Sequence, residues 1–281
     1  MRQNRRTGEE AASRGRGVAY SCAAGPPGAR AGEDGAVRTT TTNDEGSARP
    51  HTGAAFLGDD AQVPYLARLP EDAAGALSKA GAEVTYRARS VLLHKGEPSS
   101  HVLLVLAGWL KITDGGPSGH EALLALRGPG DIIGESAALD GSSRAASVTA
   151  LETVRAVVIT AERFSAFLDA HPAASRQLLA VITDRMRAAD RKRLEFGAWG
   201  VRERLARLLL ELAQYHGEHV ARGVRIRVPL TQQELAGAVG SSRESVTRLL
   251  GELREKGYIA TGRQSIVVVR PERLRRICGS A

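Results

Sequence analysis

The chain has only two cysteines in 281 residues, Cys22 and Cys278. They lie far apart, each in a segment expected to be a mobile end, so neither a disulfide framework nor a thiolate metal cluster follows. An iron–sulfur sensor would need more thiolates. Long apolar runs are also missing. The longest, such as residues 102–107, fall far short of the ~20 residues that span a bilayer. The arginines near the start have no apolar run behind them, so no signal peptide is expected and the chain is placed in the cytoplasm. The seven histidines are scattered. His94, His101 and His120 fall near predicted strands or turns and read as structural or surface groups, so no metal site is expected. A Walker loop, a G-x-S-x-G nucleophile and an H-E-x-x-H helix are all lacking, which makes an enzyme the least favoured class.

What is present is positive charge, unevenly placed. The formal net charge is +8. Residues 1–60 hold 8 Lys and Arg against 8 Asp and Glu, residues 61–197 hold 16 against 15, and residues 198–281 hold 15 against 8. Nearly all the excess therefore sits in the last third. A polyphosphate attracts such a segment by releasing condensed counterions. A membrane surface would attract it too, but no basic amphipathic helix or lipidation site is evident, so no membrane partner is expected.

Within that basic third, residues 231–253 read TQQELAGAVGSSRESVTRLLGEL. Thr231 with Glu234, and Ser241 with Glu244, each fit a capping box, in which a hydroxyl accepts from a free helix N–H and a carboxylate reaches back. The spacing predicts helices over 232–239 and 242–256, with Gly240 ending the first and Gly257 the second. Val246, Leu249, Leu250 and Leu253 form one apolar face of the second helix. Ser242, Arg243, Glu244, Thr247 and Arg248 lie in its first turns, the end of a recognition helix that reaches base edges. Arginine can bond guanine O6 and N7 together, and glutamate can accept from the cytosine amino group. A charged helix face alone fits an ordinary solvated surface. The two boxes, the helix–turn–helix spacing and a downstream hairpin at 258–269, turning at Gly262 and Arg263, favour a DNA-binding winged helix.

Upstream, residues 1–62 lack periodicity and large apolar residues, and are expected to be a disordered tail. A short helix is expected over 64–80. Strands follow over 83–93, 101–113, 121–127, 145–151 and 154–159, separated by Gly- and Pro-rich turns that include Gly116 and Pro117. Such short strands indicate a sandwich or barrel. Helices are expected over 161–168 and from Pro172, near a first turn, to about Phe196. On the long helix Leu178, Ile182, Ala189 and Phe196 recur at helical multiples, with Leu179 and Met186 beside them. That stripe fits a core-facing side or a dimer seam. Gly197 and Gly200 suggest a hinge before a helix over 201–215.

Residues 129–150, PGDIIGESAALDGSSRAASVTA, form a second motif. A short helix from Glu135 would present free N–H groups to an anion. Arg144 could pair with a phosphate and Glu135 could accept from a ribose hydroxyl. A structural ion pair between Glu135 and Arg144 is the plainer alternative.

With both motifs present, residues 64–275 resemble the catabolite activator/FNR (Crp/Fnr) family of bacterial regulators. The resemblance implies an α+β chain: a cyclic-nucleotide-binding β-roll at 63–170, a long dimerisation helix at 171–197, a winged helix–turn–helix at 198–275 and a tail at 276–281. It implies base contacts at Arg243, Glu244 and Arg248. It also implies an effector cassette at Gly134 and Glu135, for ribose, and at Arg144, for phosphate. The cassette departs from the cyclic-AMP pattern. Ala145 stands where a serine hydroxyl touches the phosphate, the loss of a bond to a charged group, roughly 1.5–3 kcal/mol. Ala189 and Asp190 stand where a Thr–Ser pair contacts adenine, and Asp190 could accept from a base amino group. These departures count against cyclic AMP while leaving a cyclic nucleotide effector open.

The expected function is a homodimeric transcription regulator on double-stranded DNA with two-fold symmetry, with RNA polymerase open as a further partner. Two alternatives stand beside it. One is a nucleotide-independent regulator with a degenerate pocket. The other is a nucleotide-sensing signalling subunit whose winged helix binds protein.

Overall fold

The computed structural model describes residues 63–115, 121–262 and 265–279. The tail at 1–62 with Cys22, the turn residues Gly116 and Pro117 with His120, and Arg263 in the hairpin turn lie outside the described residues. The described residues cluster into one compact unit.

Two four-stranded antiparallel sheets form the first half. One runs β1 (Ala82–Tyr86), β8 (Val154–Ile159), β3 (Val102–Ala107), β6 (Ile132–Ile133). The other runs β2 (Val91–Leu93), β7 (Ser147–Ala150), β4 (Leu110–Gly115), β5 (Glu121–Arg127). The apolar run VLLVLA of β3 is explained by its two faces. Leu103 and Val105 join Leu93, Leu110 and Val148 in a core between the sheets. Val102 and Leu104 point the other way, against Tyr65, Phe164, Ala174 and Leu178 from flanking helices. Alternate residues of a strand face opposite sides, so a strand covered on both must be apolar throughout.

Three expected elements are broken. The strand expected over 83–93 divides into β1 and β2 across a turn at 87–90, where Arg89 takes φ 69°. The helix expected over 64–80 divides into a 3₁₀ turn, Tyr65–Arg68, and α1 (Glu71–Lys79). Pro70 drives Leu69 extended, at φ −85° and ψ 148°. The strand expected over 101–113 turns at Gly108, whose φ is 85° and where any Cβ would collide with the Thr153 carbonyl oxygen. Only glycine fits that approach.

After α2 (Glu135–Asp140) and α3 (Ala161–Ala170), α4 runs over Pro172–Ala198. Its apolar stripe splits in two. Leu178 and Val181 are buried in the β-domain core, whereas Leu179 and Met186 are 65% and 64% exposed. The break with α5 (Val201–His216) falls at Trp199 and Gly200, both extended; Gly197, expected at the hinge, lies within α4.

The last third adds β9 (Gly217–Val220), β10 (Gly223–Ile226), α6 (Gln232–Val239), α7 (Arg243–Glu255), β11 (Ile259–Gly262), β12 (Ser265–Val268) and α8 (Pro271–Ile277). The strands form a sheet in the order β11-β12-β10-β9. Helix α8 extends into the expected tail at 276–281, taking in Arg276 and Ile277, and its Leu274 is fully buried. Cys278, expected in a mobile end, is 8% exposed within the same core. Burial pushes its thiol up to about 11.

The β-domain and this last third share a core. Leu123 and Leu126 of β5 belong to the cluster built by α5, α6 and α7. Gly237 of α6 comes so near β5 that a Cβ there would lie 2.5 Å from the Glu121 carbonyl oxygen. Lys111 bonds Glu234 at 3.2 Å, and the Lys192 ammonium of α4 donates to the Leu123 carbonyl at 2.8 Å. Trp109 meets His216 edge-on at 4.6 Å. Burial pushes the His216 imidazole down from 6.5 to about 4. A neutral buried histidine contributes stability that is present above its ordinary value and lost as pH falls toward the folded one. Thermal stability is therefore expected to fall between pH 6.5 and about 4, and His216→Phe to flatten that slope. An unchanged slope in the variant would mean that other groups set it.

Candidate functional site

The candidate nucleic-acid face is built on α6 and α7. The box at Thr231 forms in full: its backbone N–H donates to Glu234 Oε2 at 2.7 Å, and Glu234 N–H donates to the Thr231 hydroxyl at 3.2 Å. Gly240, at φ 58°, closes α6 by donating to the Ala236 carbonyl. The second box, expected between Ser241 and Glu244, does not form; a single side-chain cap replaces it. Ser241 belongs to the close of α6, its N–H donating to the same Ala236 carbonyl at 3.0 Å. Ser242 is the cap, accepting from Ser245 N–H at 3.2 Å, so α7 begins at Arg243. The shift of one residue follows from the left-handed turn at Gly240, which commits Ser241 to the preceding helix.

Val246, Leu249, Leu250 and Leu253 are buried, and Ser242, Arg243, Glu244, Thr247 and Arg248 are exposed. Arg248 bonds Glu252 at 3.0 Å one turn on, an exposed pair of little energetic worth that water or a base can displace. Glu244 is held ionised, its carboxyl lowered by its own backbone N–H and the Ser242 hydroxyl. A hollow of about 440 Å³ opens beside this face, lined by Gln232, Arg243, Thr261 and Ser265 among others. Phe196, near the end of α4, sits against the Gly240 turn, so close that a Cβ there would collide with its ring. The Arg204 guanidinium covers the same ring at 4.7 Å and donates to the Val239 carbonyl at 2.9 Å. The long helix thus ends on the helix–turn–helix itself.

The glycine-rich loop encloses a cavity of about 180 Å³ in the β-domain. Gly134, Glu135, Arg144 and Ala145 all line it. Gly134, at φ 83°, makes room for Arg144, because a Cβ would lie 2.5 Å from Nη1. Arg144 is 3% exposed. It donates to Ser99 Oγ at 2.9 Å and to the carbonyls of Gly134 at 3.0 Å and His101 at 2.6 Å. Burial lowers its pKa, while Glu135 and Glu97 act to raise it; an arginine remains charged under either influence.

Glu135 pairs not with Arg144 but with Arg185 of α4, at 2.8 Å. Arg185 also donates to the Ile132 carbonyl at 2.8 Å. A second unexpected arginine, Arg127 of β5, lines the cavity and is 7% exposed. Asp190 does not line it; its side chain is 63% exposed and pairs with Arg193 at 3.5 Å. Five residues beyond Arg185, it faces about 140° away around the helix. Both missed arginines lay in view, Arg185 in a run of charges and Arg127 closing an apolar strand. A buried position for a charge in an otherwise apolar strand was the available signal.

Residues 83–171 match the family model of the cyclic nucleotide-binding domain, and residues 203–277 that of the Crp-like helix-turn-helix domain. The chain is 32% identical over 204 residues to a CRP-like cAMP-activated global transcriptional regulator of Mycobacterium tuberculosis, across 73% of this chain and 91% of that protein. It is 29% identical over 194 residues to the global nitrogen regulator of a Nostoc species, across 68% and 87%. Among solved structures, a transcriptional regulator of the CRP/FNR family from Thermus thermophilus superposes with a TM-score of 0.60 at 27% identity, covering 71% of this chain and 99% of that one.

Proposed function

Because the chain belongs to the Crp/Fnr family of DNA-binding transcriptional regulators, we propose that it works as a cytoplasmic homodimer reading a two-fold symmetric operator under control of a small anionic effector. The observation that carries the reading is α7. Its apolar side is sunk in the domain core while Arg243, Glu244 and Arg248 stand together in solvent. These side chains contact base edges, with Ser242 and Thr247 beside them. The exposed Leu179 and Met186, a heptad apart on α4, form the seam with a second copy. RNA polymerase is a further partner once the dimer is on DNA.

Effector control is supported by the bonds that leave the cavity. Glu135 holds Arg185 on α4, and α4 ends with Phe196 against the Gly240 turn. An occupant that takes either partner of the ion pair changes what the cavity holds on the long helix. It shifts the equilibrium only by its difference in affinity between the two arrangements. The mycobacterial relative is described as cAMP-activated; here Ala145 offers no hydroxyl to a phosphate.

Gel-shift titration on fragments selected from random DNA tests the reading. Affinity is expected to fall steeply with salt, because releasing condensed counterions gains less when the bulk salt is already concentrated. A flat dependence on salt would sink it.

A further inference from the structure

The basic surplus of the last third is not on the helix–turn–helix. Residues 231–253 hold two arginines, Arg243 and Arg248, against three glutamates, Glu234, Glu244 and Glu252, a net charge of −1. The surplus gathers instead around α8. Residues 270–276 hold four arginines against one glutamate, Glu272. Arg270, Arg273, Arg275 and Arg276 are all exposed, and none of them forms an ion pair with another described residue. The helix dipole accounts for Arg275 and Arg276, which fall in the last turn, but disfavours Arg270 and Arg273 at the start.

This cluster lies at the end of the domain away from the reading face. Val269 and Arg270 both donate to the carbonyl of Tyr258, which follows the C-terminal end of α7, whereas Arg243 stands in its first turn. The 13 residues of α7 put about 20 Å between those ends. Gly223 lies so close to Val268 and Val269 that a Cβ would collide with the Val268 carbonyl oxygen. That approach brings the exposed Arg222 to the same end, where Lys256 is also exposed. A Debye length is roughly 8–10 Å near physiological salt, so charges there are largely screened from a duplex held at the start of α7.

We propose that this arginine face holds a second DNA duplex by its phosphates, without reading sequence, while α7 reads the operator. The second site goes beyond the operator reading and uses it only to place the first duplex. A protein partner fits the face less well. Interfaces between proteins centre on apolar or aromatic anchors, and among the described residues beyond Phe196 no large apolar side chain is exposed. Guanidinium groups pair with phosphate oxygens two bonds at a time and need no such anchor.

Capture on the full-length protein tests the proposal. Operator fragments fixed to beads are loaded with protein and washed, and a labelled duplex of unrelated sequence is added at increasing salt. The labelled duplex is expected to be retained at low salt. The triple variant Arg270→Ala, Arg273→Ala, Arg276→Ala is expected to weaken that retention by about tenfold or more, and to lower its salt slope by about one for each arginine removed. Its affinity for the operator is expected to change by less than about threefold, since the charges are screened from that duplex. Lysine at the same three positions keeps the charge and should restore most of the capture. Protein on the beads reads the first site and labelled duplex the second, so failure of one is told from failure of the other. No retention of the labelled duplex by the unaltered complex overturns the proposal. An operator affinity that falls as far as the capture does so too, and gives the face to the operator duplex itself. Poly-glutamate binding the complex as tightly as the labelled duplex would assign the face to an acidic protein surface, and the proposal falls.

Discussion

Arg243→Ala is expected to weaken binding to the selected operator by about 2–6 kcal/mol, from roughly 1–3 kcal/mol for each bidentate base contact in each of two half-sites. The residue stands in the first turn of α7 and is exposed, so the loss should appear with no change in thermal stability. Gel shift against operator and random DNA separates the roles available to it. A base-reading arginine loses affinity for the operator and little for random sequence. A phosphate-binding one loses both together and lowers the salt slope. Equal losses on the two DNAs would take Arg243 out of base recognition. Arg248→Ala should behave alike, freeing Glu252 at negligible cost.

Arg185→Leu is expected to destabilise the chain by about 3 kcal/mol, because breaking a buried ion pair strands the remaining charge. The side chains of Arg185 and Glu135 are 19% and 10% exposed and meet at 2.8 Å. The nearby Arg144 charge keeps the figure at the lower end of the usual range for such losses. Denaturant midpoints measure it. The double variant Glu135→Leu with Arg185→Leu should recover most of the stability, since removing both charges spares the desolvation cost that one alone incurs. A loss under about 1 kcal/mol in the single variant would mark the pair as surface-like.

The contrast between these two residues shows how far the sequence can be read. Arg243 was legible because helix caps, apolar spacing and surface charge are local signals within twenty residues. The bounds of α6 came out as the sequence indicated, and α7 was off by one residue because a single left-handed glycine reassigns Ser241. The order of strands, long helix and winged helix was legible from the change in local pattern along the chain, while the β-roll itself came from the family resemblance of the two motifs. Arg185 was not, because its partner lies fifty residues away in another element. The strands β9 and β10 were missed too. They are short, and the pairing of β10 with β12 is a long-range contact that alternation alone only hints at. Helix α8 hid among arginines, with Leu274 as its one fully buried anchor.

The placement of Leu123 and Leu126 in the core of the winged helix has a thermodynamic consequence. Two halves joined only by a hinge would melt as two calorimetric transitions. Here β5 contributes side chains to the same cluster as α5, α6 and α7, so neither half can unfold without exposing apolar surface on the other. The described fold should therefore melt as one cooperative unit, with calorimetric and van't Hoff enthalpies in agreement for the whole.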